Sequence, residues 1–367
     1  MFLNRSRAAV IGLAVLASGL LGAGPAVESL PSAGKPAGAG APLSFVPERA
    51  FLLGIARPRQ AVMSKGAKVT PEQLDEKFEL KKFGVRTDEL EFVALVVALG
   101  DDKPKDEKKK DDVDAGLWLR FARPYDQGAV LPMIPRDSPT EKVGDRTYWH
   151  PKDEMLPCVA FLDDRSIMLG TREMLRDMLR PATQPSTLAK LAGGSGAGPD
   201  LALFLTMNPL RPKIREQLEK NELPPPMSMF VPLVELVEAI EASTPFWGPG
   251  RFELTFATAD AASAAKVEQI VQQALELAKF FFLNMVDQNI PNKVPERRQI
   301  EANTQNFAND ILAKLQPVRE NERVSLRFDF ETGVAPYILQ ATAKNGNVQV
   351  KVQPNIQIAP PAAPPAK

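Results

Sequence analysis

Two stretches decide the fold of this chain: FVALVVAL, residues 92–99, and GLWLRFA, residues 116–122. The first is apolar at every position, which is typical of a central strand covered on both faces. The second alternates in side-chain direction. The residues predicted to face a core are Leu117, Leu119 and Phe121, and those predicted to face away are Trp118 and Arg120. Between the two stretches, residues 101–114 hold seven acids and five lysines, so they are predicted to form a solvated hairpin loop.

The rest of the first half is predicted to contain short strands and two helices. Strands are predicted at residues 51–56, 146–149, 158–162 and 166–169, the last two joined by the tight turn Asp163-Asp164-Arg165. Helices are predicted at residues 71–81, with Thr70 as N-cap, and at residues 171–180, with Thr171 as N-cap and Pro181 as the stop.

The second half repeats this mixture after a glycine-rich joint at residues 193–198. Strands are predicted at residues 201–205, 251–257 and 324–330, with edge strands at 334–343 and 347–352. Helices are predicted at residues 208–220, 232–242, 260–286 and 301–315.

These elements predict an α+β protein of two lobes, each an antiparallel sheet with helices packed on one face. The N-terminal lobe spans residues 44–192 and the C-terminal lobe residues 199–352. Both halves begin with a strand that ends in a turn with proline, Arg57-Pro58 in one and Asn208-Pro209 in the other. This shared order raises the hypothesis of a divergent internal duplication.

The two ends of the chain are predicted to lie outside the fold. Arg5 and Arg7 precede an apolar run over residues 8–21, and small residues follow, so residues 1–26 are predicted to be a signal peptide cleaved after Ala26. An uncleaved anchor is the alternative, but 14 apolar residues fall short of the roughly 20 that span a bilayer. Residues 27–43 are predicted to be a flexible spacer, and the proline-rich residues 353–367 a disordered tail. The expected location is periplasmic or extracellular.

Composition excludes several classes of function. The 367 residues include one cysteine, one histidine, and 45 basic and 45 acidic side chains. A single cysteine and a single histidine cannot form the usual four-ligand zinc site, and no metal or other cofactor is predicted. Zero net charge provides no basic field for nucleic acid, so no nucleic-acid partner is expected. Loss of residues 1–26 would leave 43 basic and 45 acidic side chains, a net charge of −2.

One segment resembles a known group of proteins. VGDRTYW at residues 143–149, CVAFLDDRSIMLGTREMLRDML at 158–179 and the strand-Asn-Pro-Leu-Arg unit at 201–211 are similar to a pattern in exported, uncharacterised proteins of planctomycete-type bacteria. The resemblance covers about half of the chain. It implies export and an α+β fold, and it provides no known active site.

Three local patterns suggest chemistry but are better explained as structure. His150 and Cys158 could form an imidazole–thiolate pair, yet the residues beside Cys158 indicate a buried cysteine. The charged loop lacks the glycine and glutamate positions of a calcium-binding EF-hand. The glycines at 193–198 precede a strand and lack the lysine of a phosphate loop, so they indicate a linker.

The long helix carries the one feature that favours binding. Its predicted buried stripe includes Val267, Val271, Leu275, Ala278 and Phe282. Phe281 lies off that stripe, where a second covering layer or an apolar patch for a ligand or partner would explain it.

No catalytic residue is predicted, and the leading hypothesis is an exported non-catalytic protein that acts by binding or assembly outside the cytoplasm. Its partner is an unknown protein or an apolar ligand, and no transmembrane helix is expected in the mature chain. One alternative is a carrier of an apolar ligand such as a lipid, held between the sheet and the helix at 260–286. The other is a hydrolase that uses a pair of carboxylates.

Overall fold

A computed structural model of the chain describes residues 43–63, 71–72, 75, 86–100, 113–125, 134–135, 137–153, 156–180, 184–194, 200–220, 227–245, 250–289 and 314–330. For residues 194, 227, 278–289 and 330 it describes the backbone without the side-chain environment.

The strands of the described residues form a single antiparallel sheet. They are β1 Ala50–Ala56, β2 Leu90–Leu99, β3 Val113–Phe121, β4 Thr140–Val143, β5 Arg146–Trp149, β6 Cys158–Asp163, β7 Ser166–Gly170, β8 Leu201–Thr206, β9 Val237–Thr244, β10 Gly250–Thr258, β11 Pro317–Glu320 and β12 Arg323–Phe330. Their order across the sheet is β11-β12-β10-β9-β8-β1-β2-β3-β7-β6-β5-β4. The strands of the two halves meet where β8 pairs with β1.

Helices pack on both faces of this sheet. They are α1 Pro58–Met63, α2 Arg172–Leu179, α3 Thr187–Gly194, α4 Arg211–Lys220, α5 Val231–Leu236 and α6 Ala261–Asn289. Val93 packs in one core cluster with Ala61 and Val62 of α1, whereas Ala94 packs in another with Met174 of α2. Because consecutive strand residues point to opposite sides, α1 and α2 lie on opposite faces.

We call the face that carries Val93 face 1 and the face that carries Ala94 face 2. On face 1, α1 packs against β2, and α6 packs against β10, β11 and β12. On face 2, α2 packs against β3, β6 and β7, and α3 packs against β8 and β1.

The structure confirms the α+β class and corrects its arrangement. The strands of both halves form one continuous sheet rather than a sheet in each lobe, because β8 and β1 hydrogen-bond to each other along their length. The prediction that helices pack on one face of the sheet was also wrong for the N-terminal half. β2 is apolar on both sides, so each side needs a cover, and α1 and α2 provide covers on opposite sides.

The predicted helix at 232–242 is only half correct. Helix α5 ends at Leu236, and the residues that follow form β9. The apolar spacing of this stretch fits a helix, but β9 receives backbone partners from β8 on one side and β10 on the other. Pairing with two neighbouring strands outweighs the helix and strand propensities of the segment, which are weak.

Trp118 is buried, although the alternation in β3 predicted that it faces away from the core. Its indole packs against Phe45, with ring centroids 4.6 Å apart, and against Phe92 at 5.2 Å. The prediction failed because it allowed β3 a single buried face, whereas residues of β3 face core clusters on both sides.

Several local predictions are confirmed. Thr171 caps α2, where its hydroxyl accepts a hydrogen bond from the Met174 backbone N–H. The helix predicted at residues 260–286 forms as α6, and at its start the Asp260 carboxylate accepts a hydrogen bond from the Ser263 N–H. The hairpin of β6 and β7 and the hairpin of β2 and β3 also form as predicted.

Some predicted elements lie outside the described residues or only partly within them. Residues 71–72 and 75 are helical, as expected for the helix at 71–81, and the rest of that helix is not described. The helix at 301–315 falls outside up to residue 313, and the edge strands at 334–343 and 347–352 fall outside completely, as do residues 1–42 and 353–367.

Candidate functional site

Burial of Cys158 disfavours a reactive pair with His150. Trp149 is paired with Val159, which brings His150 and Cys158 to the same end of strands β5 and β6. Cys158 is nevertheless 6% exposed, and burial raises the pKa of its thiol to about 11. The thiol is therefore protonated at neutral pH, and a protonated thiol is a poor nucleophile.

The side chains around this pair have structural roles. Arg172 donates two hydrogen bonds to the Glu141 carboxylate, the shorter at 2.7 Å, and ties α2 to β4. Tyr148 is completely buried beside them, and burial raises the pKa of its hydroxyl to about 12. The phenol is thus a neutral group at physiological pH, and its hydroxyl has no partner in hydrogen-bond geometry.

The features that suggested metal or phosphate sites are only partly described. Residues 101–112 of the charged loop and residues 195–199 of the glycine-rich joint lie outside the described residues, whereas Gly193 and Gly194 end α3. Within the described ranges, no three histidine, cysteine, aspartate or glutamate side chains are grouped as metal ligands would be. No helix among the described residues is long and apolar enough to cross a membrane.

Phe281 lies on α6, in the part whose side-chain environment is not described. The first turns of the helix follow the predicted stripe, since Val267 and Val271 are buried against β12 residues Val324 and Leu326. The predicted roles of Phe281 and Phe282 therefore remain predictions.

The candidate site is a row of apolar residues that crosses the middle of face 1. One residue comes from each of five neighbouring strands, and pairing registers place them side by side. The members of this apolar row are Leu95, Gly54, Leu203, Ala242 and Leu254. At about 4.8 Å between strands, the row is roughly 19 Å long.

Both ends of the apolar row continue into packed cores, whereas its middle belongs to neither of these clusters of described residues. At one end Leu95 pairs with Leu117, which packs in the cluster under α1. At the other end Leu254 pairs with Leu326, which packs in the cluster under α6. Between these clusters Leu203 is 41% exposed, although β8 lies in the centre of the sheet.

The shape of the row follows from its smallest members. Gly54 and Ala242 lie on either side of Leu203 in the row. A Cβ atom added at Gly54 would lie 3.5 Å from the Leu95 Cβ and 3.8 Å from the Leu203 Cδ1, which are ordinary contact distances. The row therefore has room for one methyl group at Gly54, next to Leu203.

The chemistry of the row is that of a contact surface. None of its side chains is polar, and its backbone groups are engaged in the sheet ladder. Such a surface can exclude water around an apolar group, and it offers nothing to an ion or a proton.

Sequence reasoning missed this row because it predicted two separate sheets. Leu203 was correctly placed on a strand, but its neighbours Gly54 and Ala242 belong to strands far away in the chain. Alternation within 201–205 signals which residues share a face, and it does not show which strand lies alongside.

Comparison with known proteins gives distant likenesses alone. No model of a known protein family matches the chain, and no curated protein matches it. Two solved structures, crystal forms III and IV of TP0453, are similar to it, each with a TM-score of 0.39. The first is 12% identical and the second 13%, each match covers 83% of this chain, and they cover 99% and 97% of the TP0453 chains.

Proposed function

We propose that this protein is exported and acts outside the cytoplasm by binding or assembly, without catalysing a reaction. The observation that carries the proposal is the apolar row, whose central residue Leu203 is 41% exposed on a central strand. A central strand with a solvated apolar face loses the stabilisation that burial would provide, about 25 cal/mol per Å². Contact with a partner or ligand recovers that stabilisation.

An apolar ligand is the more specific form of this proposal. The open part of the row is narrow, because it lies between the core under α1 and the core under α6. A narrow apolar strip without hydrogen-bonding side chains suits a lipid acyl chain. Protein assembly through the same row is the alternative, and the experiment below separates the two.

Hydrolysis by a carboxylate pair has less support. A general acid of this kind needs a carboxyl group with a raised pKa. Among the described residues, each carboxyl group whose pKa departs from its ordinary value is shifted downward. Hydrogen bonds from arginine side chains cause this at Glu235 and Asp329, where the donors are Arg215 and Arg251 respectively.

The test compares Leu203→Ser with Leu156→Ser. Both leucines are 41% exposed, but Leu156 lies outside the apolar row, so Leu156→Ser controls for the loss of an exposed leucine. Binding of the fluorescent fatty acid cis-parinaric acid is measured for the mature protein and both variants. We expect Leu203→Ser alone to weaken binding, with unfolding midpoints of the two variants close together because each leucine is already partly solvated.

Light scattering coupled to size-exclusion chromatography measures protein assembly, the alternative, in the same samples. Self-association that Leu203→Ser abolishes would favour assembly over lipid binding. Equal behaviour of both variants in both assays would refute a role for the row. Mass spectrometry of material that copurifies from the exported fraction identifies a natural ligand.

Export is supported by the succession of Arg5 and Arg7, the apolar run at 8–21 and the small residues before Val27. We propose cleavage after Ala26. N-terminal sequencing of the mature protein should begin at Val27, and recovery of an intact Met1 from soluble cytoplasm would contradict export.

We also propose that the two halves are divergent duplicates. Outward from the β8–β1 pair, one half runs β1, β2, β3, β7, β6 and the other runs β8, β9, β10, β12, β11. The same chain order thus fills equivalent places on both sides, with the β4–β5 hairpin inserted in one half and α6 in the other. Experimental structures of two relatives with each half superposed would test this by whether the same residues align in both.

A relationship to the exported proteins of planctomycete-type bacteria is proposed on the motifs at 143–149 and 158–179. In this chain they form the β4–β5 turn with Gly144 at a positive φ of 64°, the β6–β7 hairpin and α2. An alignment of such proteins that kept glycine at this turn and the paired aspartates at the hairpin would support the relationship.

A further inference from the structure

A polar groove of about 580 Å³ lies on face 2, opposite the apolar row. Its floor is formed by β9, β10 and β12, and its wall by Thr187, Lys190 and Leu191 of α3. Face 2 changes character along one row of paired residues. Leu53 and Phe204 are buried and apolar, whereas the next residues across, Glu241, Thr255 and Ser325, are polar.

Paired charges line this groove and hold one another in place. Arg323 Nη2 lies 2.8 Å from Glu241 Oε1. Arg327 binds two carboxylates, with its Nε 2.9 Å from Glu253 Oε1 and its Nη1 3.4 Å from Glu320 Oε1. The lining thus has three carboxylates, two guanidinium groups and the Lys190 ammonium, and its net charge is zero.

Hydroxyl groups complete the floor beneath these pairs. Thr255 Oγ1 and Ser325 Oγ are buried and lie 2.9 Å apart, within hydrogen-bond distance. A solvated sheet face would not need a buried hydroxyl pair or a helical wall from the other half of the chain. The groove is a concave surface in which polar groups keep fixed positions.

The side chains that line the groove have further hydrogen-bond donors next to further acceptors. Each carboxylate uses one oxygen in the ion pairs above and has a second oxygen with lone pairs. Arg323 has further N–H groups, and Lys190 makes no ion pair among the described residues. An ionic ligand would compete with pairs that already exist, whereas a hydroxyl group can donate to a carboxylate and accept from a guanidinium without breaking the pair.

We infer that this groove binds a neutral polyhydroxylated ligand, an oligosaccharide. Several neighbouring hydroxyls can each bridge a carboxylate oxygen and a guanidinium N–H along β9, β10 and β12. The ion pairs orient these groups before the ligand arrives, which lowers the entropic cost of binding. This site is independent of the proposed function, because the apolar row lies on the opposite face of the sheet.

The test is isothermal titration calorimetry of the mature protein with cellohexaose, maltohexaose and chitohexaose, and with inorganic phosphate as an anionic probe. We expect at least one hexasaccharide to bind, and Glu253→Gln and Arg327→Gln to weaken it about tenfold each, as loss of a charge-assisted hydrogen bond does. Affinity should change little up to about 0.5 M NaCl, because the ligand is uncharged.

Two variants serve as controls. Arg251→Gln breaks the exposed ion pair with Asp329, which joins the same strands β10 and β12 without lining the groove, and saccharide affinity should not change. Leu203→Ser, on face 1, should also leave saccharide affinity unchanged. A failure of the groove inference can therefore be distinguished from a failure of the proposed function. Circular dichroism establishes that all variants are folded.

Three outcomes would overturn the inference. One is the absence of binding to every hexasaccharide. Another is binding of phosphate that weakens steeply with salt, which would identify an anion site. The third is saccharide binding that Glu253→Gln and Arg327→Gln leave intact, which would place the ligand elsewhere.

Discussion

Removal of the Asp114 carboxylate should release the contact that ties the start of the sheet to α2. Arg49 donates from Nη1 to Asp114 Oδ2 at 2.7 Å and from Nε to Asp177 Oδ2 at 2.5 Å. Its Nη1 also donates to the Leu99 carbonyl at 2.9 Å, and the Thr171 hydroxyl donates to Asp114 Oδ1 at 3.0 Å. One carboxylate thus joins the segment before β1, the start of β3 and the cap of α2.

The expected loss for Asp114→Ala is about 2–3 kcal/mol in the free energy of unfolding. Breaking a fully buried pair costs roughly 3–5 kcal/mol, because the other charge loses its partner. Asp114 has a side-chain exposure of 10%, close to that case, but Arg49 is 26% exposed and keeps two acceptors, which lowers the loss. The Thr171 hydroxyl loses an acceptor, a contribution of about 1 kcal/mol. The melting temperature should fall by about 3–5 °C.

Urea unfolding followed by tryptophan fluorescence measures this loss. Asp114→Asn keeps an oxygen acceptor and removes the charge, so its stability should lie between those of the parent and Asp114→Ala. Lys152→Ala is the control, because its ion pair with Asp137 is 70% exposed on both sides and should not change the midpoint measurably. An Asp114→Ala midpoint equal to that of Lys152→Ala would show that the network does not stabilise the fold.

Three further changes test other parts of the structure. Gly170→Ala should destabilise the protein by about 1–3 kcal/mol in urea unfolding, because its Cβ would lie 2.7 Å from the Ala115 carbonyl oxygen. Gly54→Ala is the control and should not destabilise, because its nearest contact would be at 3.5 Å. Equal unfolding midpoints of the two variants would contradict this packing. Cys158 should react with iodoacetamide at pH 8 only after unfolding, since burial raises the pKa of its thiol to about 11, and rapid labelling of the native protein would refute its burial. Replacing residues 101–112 by a two-residue turn should leave the melting temperature nearly unchanged, because Leu99 is already paired with Val113 at the base of the loop. A large drop in melting temperature would show that the loop has a structural role.

Much of the secondary structure could be predicted because its signals are local. The apolar run at 92–99 lies in β2, and Thr171 caps α2 as its position before an amphipathic segment indicates. Alternation in the strand predicted at 251–257 places Leu254 and Phe256 on one side of β10, and both pack against the core under α6. In each case, neighbours within a few residues determine the conformation.

The predictions that failed depended on distant neighbours. Residues 237–242 have apolar spacing that suits a helix, and they became a strand because β8 and β10 lie on either side. Trp118 is buried because Phe45 and Phe92 approach it on face 2. The sequence around residues 118 and 237 does not indicate these distant contacts.

The polar groove and the apolar row also depend on distant neighbours. Alternation places Thr255 and Ser325 on the polar sides of their predicted strands, whereas Glu241 lay in a predicted helix. The meeting of these three residues in one groove depends on register across β9, β10 and β12. The apolar row likewise depends on β1 pairing with β8. Phe281, the residue that the sequence singled out, remains a prediction for experiment.

The sequence by itself determined the α+β class, the hairpins and the capped helices, because these depend on alternation, turns and caps within short segments. Only the tertiary structure decided that all strands join one sheet and which residues share a row on each face. The physical reason is that strand pairing uses backbone hydrogen bonds that are the same for nearly every residue type. The partner of a strand is therefore chosen by the packing of the whole chain, and the row that exposes Leu203 exists only after that choice.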